Sequence, residues 1–173
     1  MRFPSALACL TFAAAACAAD AMPAKGDKAP QVLGTTLEGE KLESGQFRGK
    51  VLVVTFWASW CGPCMKELPM LESLQRLAGT DKLQVVAVNT EDRDVFRKIA
   101  RKLDKFALTV VHDDGKRGSE AYGVNGIPHM AIIGRDGTIV KVNRGYSEES
   151  LDGILREINA ALQAKPPAGA API

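Results

Sequence analysis

The chain has 173 residues, of which 46% are hydrophobic and 24% charged, with four cysteines and a formal net charge of +2. This length suffices for one ordinary domain with a hydrophobic core, and four cysteines are too few for the disulfide framework of a small secreted scaffold. Lysine plus arginine (22) nearly balances aspartate plus glutamate (20). Without a block of like charge, the composition predicts neither a nucleic-acid partner nor a membrane-surface partner. The function must therefore depend on a short local motif.

The N-terminal segment, residues 1–21, predicts an export signal. Arg2 precedes an apolar run from Ala6 to Ala19, which is shorter than the roughly 20 apolar residues of a membrane-spanning helix. Small residues follow, as at a signal-cleavage site. We therefore expect a signal peptide over residues 1–21 and a periplasmic protein. An uncleaved membrane anchor and a lipid attached to Cys17 remain open alternatives.

The rest of the chain alternates strand and helix signals, which predicts an α/β fold. A small hairpin is predicted around Glu38-Gly39, and a strand buried on both faces is predicted over Val51–Trp57, because these residues favour β-structure and show no polar alternation. A helix over residues 61–79 follows. The remaining predicted elements, in chain order, are a strand at 83–88, a helix at 92–103, a strand at 108–111, a short helix at 119–122, strands at 130–133 and 138–142, and a final helix capped by Ser147.

Two helical stripes are predicted to face the core. The helix at 61–79 has a leucine at every third position: Leu68, Leu71, Leu74 and Leu77. The helix at 92–103 is predicted to turn four apolar residues inward: Val95, Phe96, Ile99 and Leu103. We expect residues 24–164 to form one domain. The Pro/Ala-rich segment 165–173 is expected to be a disordered tail.

The chemistry is expected in the segment Trp57-Ala58-Ser59-Trp60-Cys61-Gly62-Pro63-Cys64, where a buried strand meets a helix. Cys61 is predicted to be exposed at the N-terminus of the helix, with Cys64 one turn deeper. Unpaired N–H groups and the positive end of the helix dipole lower the pKa of a thiol placed there, so Cys61 is the predicted nucleophile. Cys64 then resolves the mixed disulfide. Pro63 suits the first helical turn, and Trp60 offers a substrate an apolar contact.

Two other interpretations of this cysteine pair are weaker. A zinc site needs two further Cys or His ligands at suitable spacing, and the only histidines are His112 and His129. A purely structural disulfide would gain little, because the loop that it closes is very short. We therefore predict a redox-active pair that needs no metal or other cofactor.

Three stretches of the chain carry a family resemblance: Phe47-Arg48-Gly49-Lys50-Val51, then VVTFWASWCGPC, then Ala121-Tyr122-Gly123-Val124 leading to Gly126-Ile127-Pro128. In these stretches the sequence resembles the exported TlpA/ResA/CcmG-type thiol–disulfide oxidoreductases of the thioredoxin superfamily. The resemblance implies a thioredoxin-like fold, with a central mixed β-sheet flanked by helices and an N-terminal β-hairpin extension. It also implies that Pro128 is cis and lies against the cysteine pair. The backbone of Ile127 would then pair with an extended substrate segment.

The resemblance leaves the acid–base group open. Many thioredoxins carry a buried carboxylate on the central strand, but the matching residue here is Thr55. ResA-like relatives have an acidic residue after the next strand, and Asp92 fits by spacing, with Glu91 beside it. Asp92 is also well placed to be the N-cap of a helix. His129 stands where many relatives have threonine, and three roles remain open for it: tuning the thiolate, binding a metal or facing solvent.

We therefore predict an enzyme, a monomeric protein-disulfide reductase whose substrates are proteins with disulfides or cysteine pairs. Gly-Pro between the cysteines is the thioredoxin dipeptide, and thioredoxin has a potential near about −270 mV, far below that of the oxidant DsbA. The resemblance implies substrates of the cytochrome c maturation or copper-site type, and a membrane electron donor of the DsbD/CcdA type.

The main alternative prediction is a copper chaperone that binds Cu(I) through Cys61, Cys64 and His129, since two thiolates and an imidazole suit this ion. Against it, Sco-type copper carriers have a longer CxxxC spacing. A peroxiredoxin is a weaker third hypothesis, because Trp60-Cys61 lacks the Thr-x-x-Cys setting of a peroxidatic cysteine.

Overall fold

The computed structural model describes residues 22–103 and 105–165. Its strands are β1 Val32–Thr35, β2 Lys41–Glu43, β3 Val51–Trp57, β4 Leu83–Asn89, β5 Thr109–His112, β6 His129–Ile133 and β7 Ile139–Arg144, and its helices are α1 Gly62–Ala78, α2 Arg93–Ala100, α3 Arg117–Ala121 and α4 Glu148–Gln163. Short 3₁₀ turns occupy Ser44–Phe47 and Asp114–Lys116. The expected signal peptide, and all but the first residue of the expected tail, lie outside the described residues.

The strands form one mixed sheet in the order β2-β1-β5-β4-β3-β6-β7. Strand β3 lies inside this sheet, with β4 parallel on one side and β6 antiparallel on the other. Strands β1 and β2 form an antiparallel hairpin at the far edge, next to β5. The predicted α/β class, the central mixed sheet and the N-terminal hairpin are thus confirmed.

The sheet separates two apolar cores. Every residue of β3 is buried, as its composition predicts, and its side chains alternate between the two faces of the sheet. We call the first cluster the helix-side core, because it contains Leu68 of α1 and Ile158 of α4 together with Trp57. The second cluster, the hairpin-side core, contains Leu33 of β1 together with Phe56. A residue of β3 therefore belongs to one core or the other according to its position in the alternation.

The predicted leucine stripe of α1 is wrong at its end. Leu68 and Leu71 are buried, but Leu77 is 85% exposed. Nine residues at about 100° each turn the helix through about two and a half turns, so Leu77 lies on the opposite side of α1 from Leu68. The buried face of α1 follows spacings of three and four residues and consists of Cys64, Glu67, Leu68, Leu71 and Gln75.

The predicted stripe of α2 also needs one correction, because Val95 is 36% exposed. Phe96 is buried, and its ring centroid lies 5.2 Å from that of His112 on β5. Ile99 and Leu103 pack against the helix-side core. Adjacent helical residues point about 100° apart, so the helix turns Phe96 toward the sheet and leaves Val95 at the margin of the contact.

The last helix, α4, begins as predicted. Ser147 is its N-cap, and the Ser147 hydroxyl oxygen accepts a hydrogen bond from the backbone N–H of Ser150 at 3.2 Å. Ile154 and Ile158 pack α4 onto the helix-side core. Neither α4 nor another helix within the described ranges is long and apolar enough to cross a membrane.

Candidate active site

The two cysteines lie where β3 ends and α1 begins. Cys61 is the N-cap of α1, Cys64 lies in its first turn, and a disulfide joins their sulfur atoms. The Cys61 sulfur also accepts a hydrogen bond from the backbone N–H of Cys64 at 3.3 Å. A backbone donor at the start of a helix therefore points at the Cys61 sulfur, and such a donor stabilises a thiolate.

The prediction that Cys61 is exposed is wrong for the disulfide form. Cys61 is 4% exposed and Cys64 is 1% exposed, and both belong to the helix-side core together with Ala58. The disulfide holds the Cys61 sulfur against Cys64 and away from solvent. The surroundings are open instead, since Trp60 is 74% exposed and the Gly62-Pro63 dipeptide is exposed as well.

A groove of about 330 Å³ adjoins the cysteine pair, and it is lined by Gly62, Pro63, Lys66, Tyr146 and Ser147. Gly62 and Pro63 are the two residues between the cysteines, so the groove runs along the dipeptide that separates them, although neither cysteine lines it. The exposed ring of Trp60 precedes Cys61 directly. A polypeptide therefore has both room and apolar surface to lie beside this disulfide.

The loop before β6 carries the predicted substrate-binding residues. The Ile127–Pro128 peptide bond is cis, as the resemblance implies. Pro128 is buried and Ile127 is half-buried, and the Ile127 side chain packs against both cores. The Pro128 carbonyl accepts a hydrogen bond from the Gly145 N–H at 2.8 Å, whereas no backbone hydrogen bond engages Ile127 within residues 22–103 and 105–165. The backbone of Ile127 thus has capacity to pair with an extended segment.

A buried carboxyl group lies one helical turn from Cys64. Glu67 is 2% exposed, and its Oε1 atom accepts a hydrogen bond from the Thr55 hydroxyl at 2.6 Å. Burial raises the pKa of Glu67 from 4.5 to about 7, and the hydrogen bond from Thr55 offsets only part of this rise. Residues three apart in a helix are neighbours on one face, so Glu67 lies on the same side of α1 as Cys64.

Glu67 is a candidate functional residue that the sequence analysis did not single out. The strand position that carries a carboxylate in many thioredoxins has a hydroxyl here, on Thr55, and the acid lies on the facing helix instead. A usable signal was present. Glu67 falls on the arc of α1 that contains Cys64 and Leu71, where an unpaired charged side chain is rarely found.

Asp92 is exposed and occupies the N-cap position of α2 without a side-chain capping hydrogen bond. Its neighbour Glu91 accepts hydrogen bonds from the backbone N–H and the hydroxyl of Ser59, at 2.6 and 2.8 Å. Burial raises the pKa of Glu91, but the hydrogen bonds from Ser59 and Asn89 outweigh burial, and the pKa is lowered overall. A carboxylate held in its charged form is a poor proton acceptor near neutral pH, so Glu67 suits that role better than Glu91.

His129 is buried, so its predicted solvent-facing alternative is wrong. The residue is 1% exposed, and its ring meets the Phe56 ring edge-on with centroids 6.0 Å apart. Phe56 belongs to the hairpin-side core, whereas Cys61 and Cys64 belong to the helix-side core. The next residue, Met130, faces the helix-side core in the expected alternation. Because the sheet separates His129 from the cysteines, the three-ligand copper site of the alternative hypothesis is not favoured.

Within the described residues, the nitrogens of the His129 ring have no hydrogen-bond partner. An unpaired buried polar group costs about 1–3 kcal/mol, so we expect His129→Phe to raise the free energy of unfolding at pH 7 by about 1–2 kcal/mol.

Burial, reinforced by Arg144, lowers the pKa of His129 from 6.5 to about 4. The wild type should therefore lose stability as pH falls from 6.5 to 4, because the unfolded chain binds this proton more tightly. Denaturant unfolding at pH 7 and pH 4.5 measures both effects.

His112 provides the matched control for this prediction. Its ring nitrogens lie 2.7 Å from Asp114 Oδ1 and 2.8 Å from the carbonyl oxygen of Glu91, so His112→Phe removes real hydrogen bonds and should lower stability. If His129→Phe destabilised the protein as His112→Phe does, the His129 ring would have partners that this arrangement does not provide.

A cysteine pair at the strand–helix junction of a thioredoxin-like sheet is typical of thiol–disulfide oxidoreductases. The Redoxin family model matches residues 24–162. The chain belongs to this family. It is 31% identical to the thiol-disulfide oxidoreductase ResA of Bacillus thuringiensis subsp. konkukian over 134 residues, and the alignment covers 77% of this chain and 78% of that protein. It is 37% identical to the thioredoxin-like protein YneN of Bacillus subtilis over 123 residues, and this alignment covers 70% of this chain and 72% of that protein.

Solved structures agree with these relatives. A crystal structure from Chlorobium tepidum, assigned as the thiol:disulfide interchange protein DsbE, superposes with a TM-score of 0.72 at 30% identity and covers 81% of this chain and 99% of that one. The chain is thus a ResA/CcmG-type member of the thioredoxin superfamily and a thiol–disulfide oxidoreductase, and both the predicted family and the predicted enzyme class are confirmed.

Proposed function

We propose that this enzyme is a reductant of protein disulfides, with Cys61 as the attacking cysteine and Cys64 as the resolving cysteine. The observation that carries this assignment is the position of Cys61 as the N-cap of α1, with a backbone N–H directed at its sulfur. Cys61 also stands next to the exposed Trp60, whose ring offers a substrate chain an apolar contact.

The proposed reaction is a two-electron exchange between dithiols and disulfides. The Cys61 thiolate attacks one sulfur of a substrate disulfide, forms a mixed disulfide and releases the other substrate sulfur as a thiolate. Cys64 then attacks the Cys61 sulfur, which breaks the mixed disulfide, releases the second substrate thiol and leaves the Cys61–Cys64 disulfide. The substrate is reduced by two electrons and the enzyme is oxidised by two. A dithiol donor must then restore the reduced pair.

Glu67 supplies the proton acceptor in this scheme. Cys64 attacks as a thiolate but is buried in the helix-side core, where a thiol keeps its proton. The pKa of Glu67, raised by burial to about 7, lies near the pH at which the enzyme operates, and a general base is most effective under that condition. Glu67 would take the proton from Cys64 during resolution and return it when the pair is reduced again.

The substrate class and partners follow from the family. We propose cysteine pairs of apocytochrome c or of copper-site proteins as substrates, a membrane electron donor of the DsbD/CcdA type, and a monomeric enzyme. Export would be directed by residues 1–21 and would place the domain, residues 24–164, in the periplasm. The groove beside the cysteines and the free backbone of Ile127 support a polypeptide substrate.

The direction of electron flow is tested by the reduction potential of the Cys61–Cys64 pair. Equilibration with glutathione buffers, followed by quantification of both redox forms, should give a value close to that of thioredoxin, about −270 mV. A value close to that of the oxidant DsbA, about −120 mV, would overturn the proposed reductant and make the protein a donor of disulfides.

A further inference from the structure

Two loops meet beside the cysteine pair, at the carboxyl ends of the neighbouring strands β3 and β4. The first, here called the cysteine turn, comprises residues 58–61 between β3 and α1. The second, the β4–α2 loop, comprises residues 90–92. Because β3 and β4 are parallel neighbours with Trp57 paired to Asn89, both loops leave the sheet at the same end.

Hydrogen bonds from the β4–α2 loop hold the cysteine turn. The two carboxylate oxygens of Glu91 accept from Ser59: Oε2 from the backbone N–H at 2.6 Å and Oε1 from the hydroxyl at 2.8 Å. The backbone N–H and the hydroxyl of Thr90 both donate to the carbonyl oxygen of Trp57, at 3.0 and 3.3 Å. The β4–α2 loop thereby contacts both the last residue of β3, Trp57, and Ser59 of the cysteine turn.

The cysteine turn has little else to fix its outer part. Ser59 and Trp60 are both exposed, so apolar packing contributes little there. The Cys61 N–H donates to the Ala58 carbonyl at 3.1 Å, which closes the turn on itself but does not anchor it. The Glu91 carboxylate is therefore the contact that fixes the exposed half of the turn relative to the sheet.

Glu91 is itself held firmly. Its backbone N–H donates to Oδ1 of the fully buried Asn89 at 3.1 Å, and the Asn89 side-chain amide donates back to the Glu91 carboxylate at 3.0 Å. On the other side, the ring of His112 lies 2.8 Å from the Glu91 carbonyl oxygen. His112 contacts Asp114, which in turn pairs with Arg93. The anchor for the turn is thus hydrogen-bonded to the last residues of β4 and β5, Asn89 and His112.

We propose that Glu91 is a positioning residue for Cys61, which keeps the Cys61 sulfur at the N-terminus of α1 once the disulfide has been reduced. In the oxidised enzyme the covalent bond to Cys64 holds that sulfur, and Glu91 is redundant for this purpose. In the reduced enzyme the bond is gone. The position of the Cys61 sulfur near the backbone N–H of Cys64 then depends on the cysteine turn, and the turn is held by the hydrogen bonds between Ser59 and Glu91. The inference rests on the proposed function, in which Cys61 is the attacking cysteine.

The test measures the reactivity of reduced Cys61 toward iodoacetamide as a function of pH, in the full chain. With Glu91→Ala, we expect the apparent pKa of the Cys61 thiol to rise by about one unit and the rate at pH 7 to fall about tenfold. Glu91→Gln keeps an acceptor oxygen for Ser59 and should stay within about twofold of the wild type. Ser59→Ala, which loses only the hydroxyl contact, should give an intermediate fall, and it serves as the second variant if Glu91→Ala folds poorly.

Glu72 provides the matched control. It is another carboxylate that joins two segments, since its Oε1 atom accepts from the backbone N–H of Ala107 at 2.9 Å, but it lies away from the cysteine turn. Glu72→Ala should leave the pH profile of Cys61 unchanged. The inference is overturned if Glu91→Ala gives the same profile as Glu72→Ala. It is also overturned if Glu91→Ala and Glu91→Gln lower the pKa equally, because Glu91 would then act through its charge alone.

Peptide mapping of the alkylated wild type separates this inference from the proposed function. If Cys64 rather than Cys61 is alkylated first, the assignment of the attacking cysteine fails, whatever the Glu91 variants do. If Cys61 reacts first and its pH profile does not respond to Glu91→Ala, the proposed function stands and only the positioning role is lost.

Discussion

Cys61→Ala is expected to abolish disulfide reduction, whereas Cys64→Ala is expected to stop the reaction halfway. Without the attacking sulfur no mixed disulfide forms, and loss of a nucleophile lowers enzymatic rates by on the order of 10³-fold or more. Without Cys64 the first exchange still proceeds, but the internal thiol that would release the substrate is missing. Turnover on a protein disulfide measures the first effect. Mass spectrometry under non-reducing conditions detects the trapped substrate on Cys61.

Leu77→Ala is the matched control for these two variants. It lies on the same helix, but its side chain is 85% exposed and far along α1 from the cysteines, so turnover should stay at the wild-type level. If Cys61→Ala captured substrates and Cys64→Ala did not, the roles of attacking and resolving cysteine would be the reverse of those assigned here.

Glu67→Gln is expected to stabilise the protein at alkaline pH and to slow its reaction. A carboxyl whose pKa is raised on folding binds its proton more tightly in the folded chain. The folded state therefore loses stability as pH rises from 4.5 through about 7. A rise of this size corresponds to on the order of 3 kcal/mol at pH 8. Glutamine keeps an oxygen for the Thr55 hydroxyl and removes the charge, so most of that loss should be recovered.

The measurement is denaturant unfolding of the wild type and of Glu67→Gln at pH 4 and pH 8. The two proteins should have similar stability at pH 4 and should diverge at pH 8. Turnover of the variant at neutral pH should fall by about tenfold to a hundredfold, because the proton acceptor for Cys64 is lost. Glu72→Gln, which changes a half-buried acid on the same helix whose pKa is lowered by hydrogen bonds from Ala107 and Arg76, should show no gain at pH 8. Equal stabilities of the wild type and Glu67→Gln at pH 8 would mean that Glu67 is not buried in its charged form.

The strand–helix frame of the site could be predicted from local patterns. The unbroken β-favouring run at Val51–Trp57 indicated a strand buried on both faces, and the Gly62-Pro63 dipeptide between two cysteines indicated a helix start. These signals are local, because each depends on residues that adjoin one another in the chain. The position of Cys61 as the N-cap of α1 follows from them.

The two buried polar side chains of α1, Glu67 and Gln75, could not be predicted in the same way. The Oε1 atom of Gln75 accepts a hydrogen bond from the backbone N–H of Val85 at 2.6 Å, and Glu67 meets Thr55 across the helix–sheet interface. Each polar side chain is acceptable inside the core only because of a partner distant in sequence. The spacing of the leucines predicted a buried face that includes Leu77. The face that is actually buried contains Glu67 and Gln75 instead.

The disulfide at the start of α1 spans only two intervening residues, and this has a consequence for how the enzyme survives its own cycle. A ring this small removes little conformational freedom from the unfolded chain, on the order of 2 kcal/mol in the chain-entropy treatment. The strand that leads into it is already hydrogen-bonded to a neighbour along each side. Oxidation and reduction therefore open and close one short covalent ring, whereas the pairing of β3 with β4 and β6 does not depend on that ring. We therefore expect the fold to persist in both redox forms, so that one molecule can serve in repeated catalytic cycles.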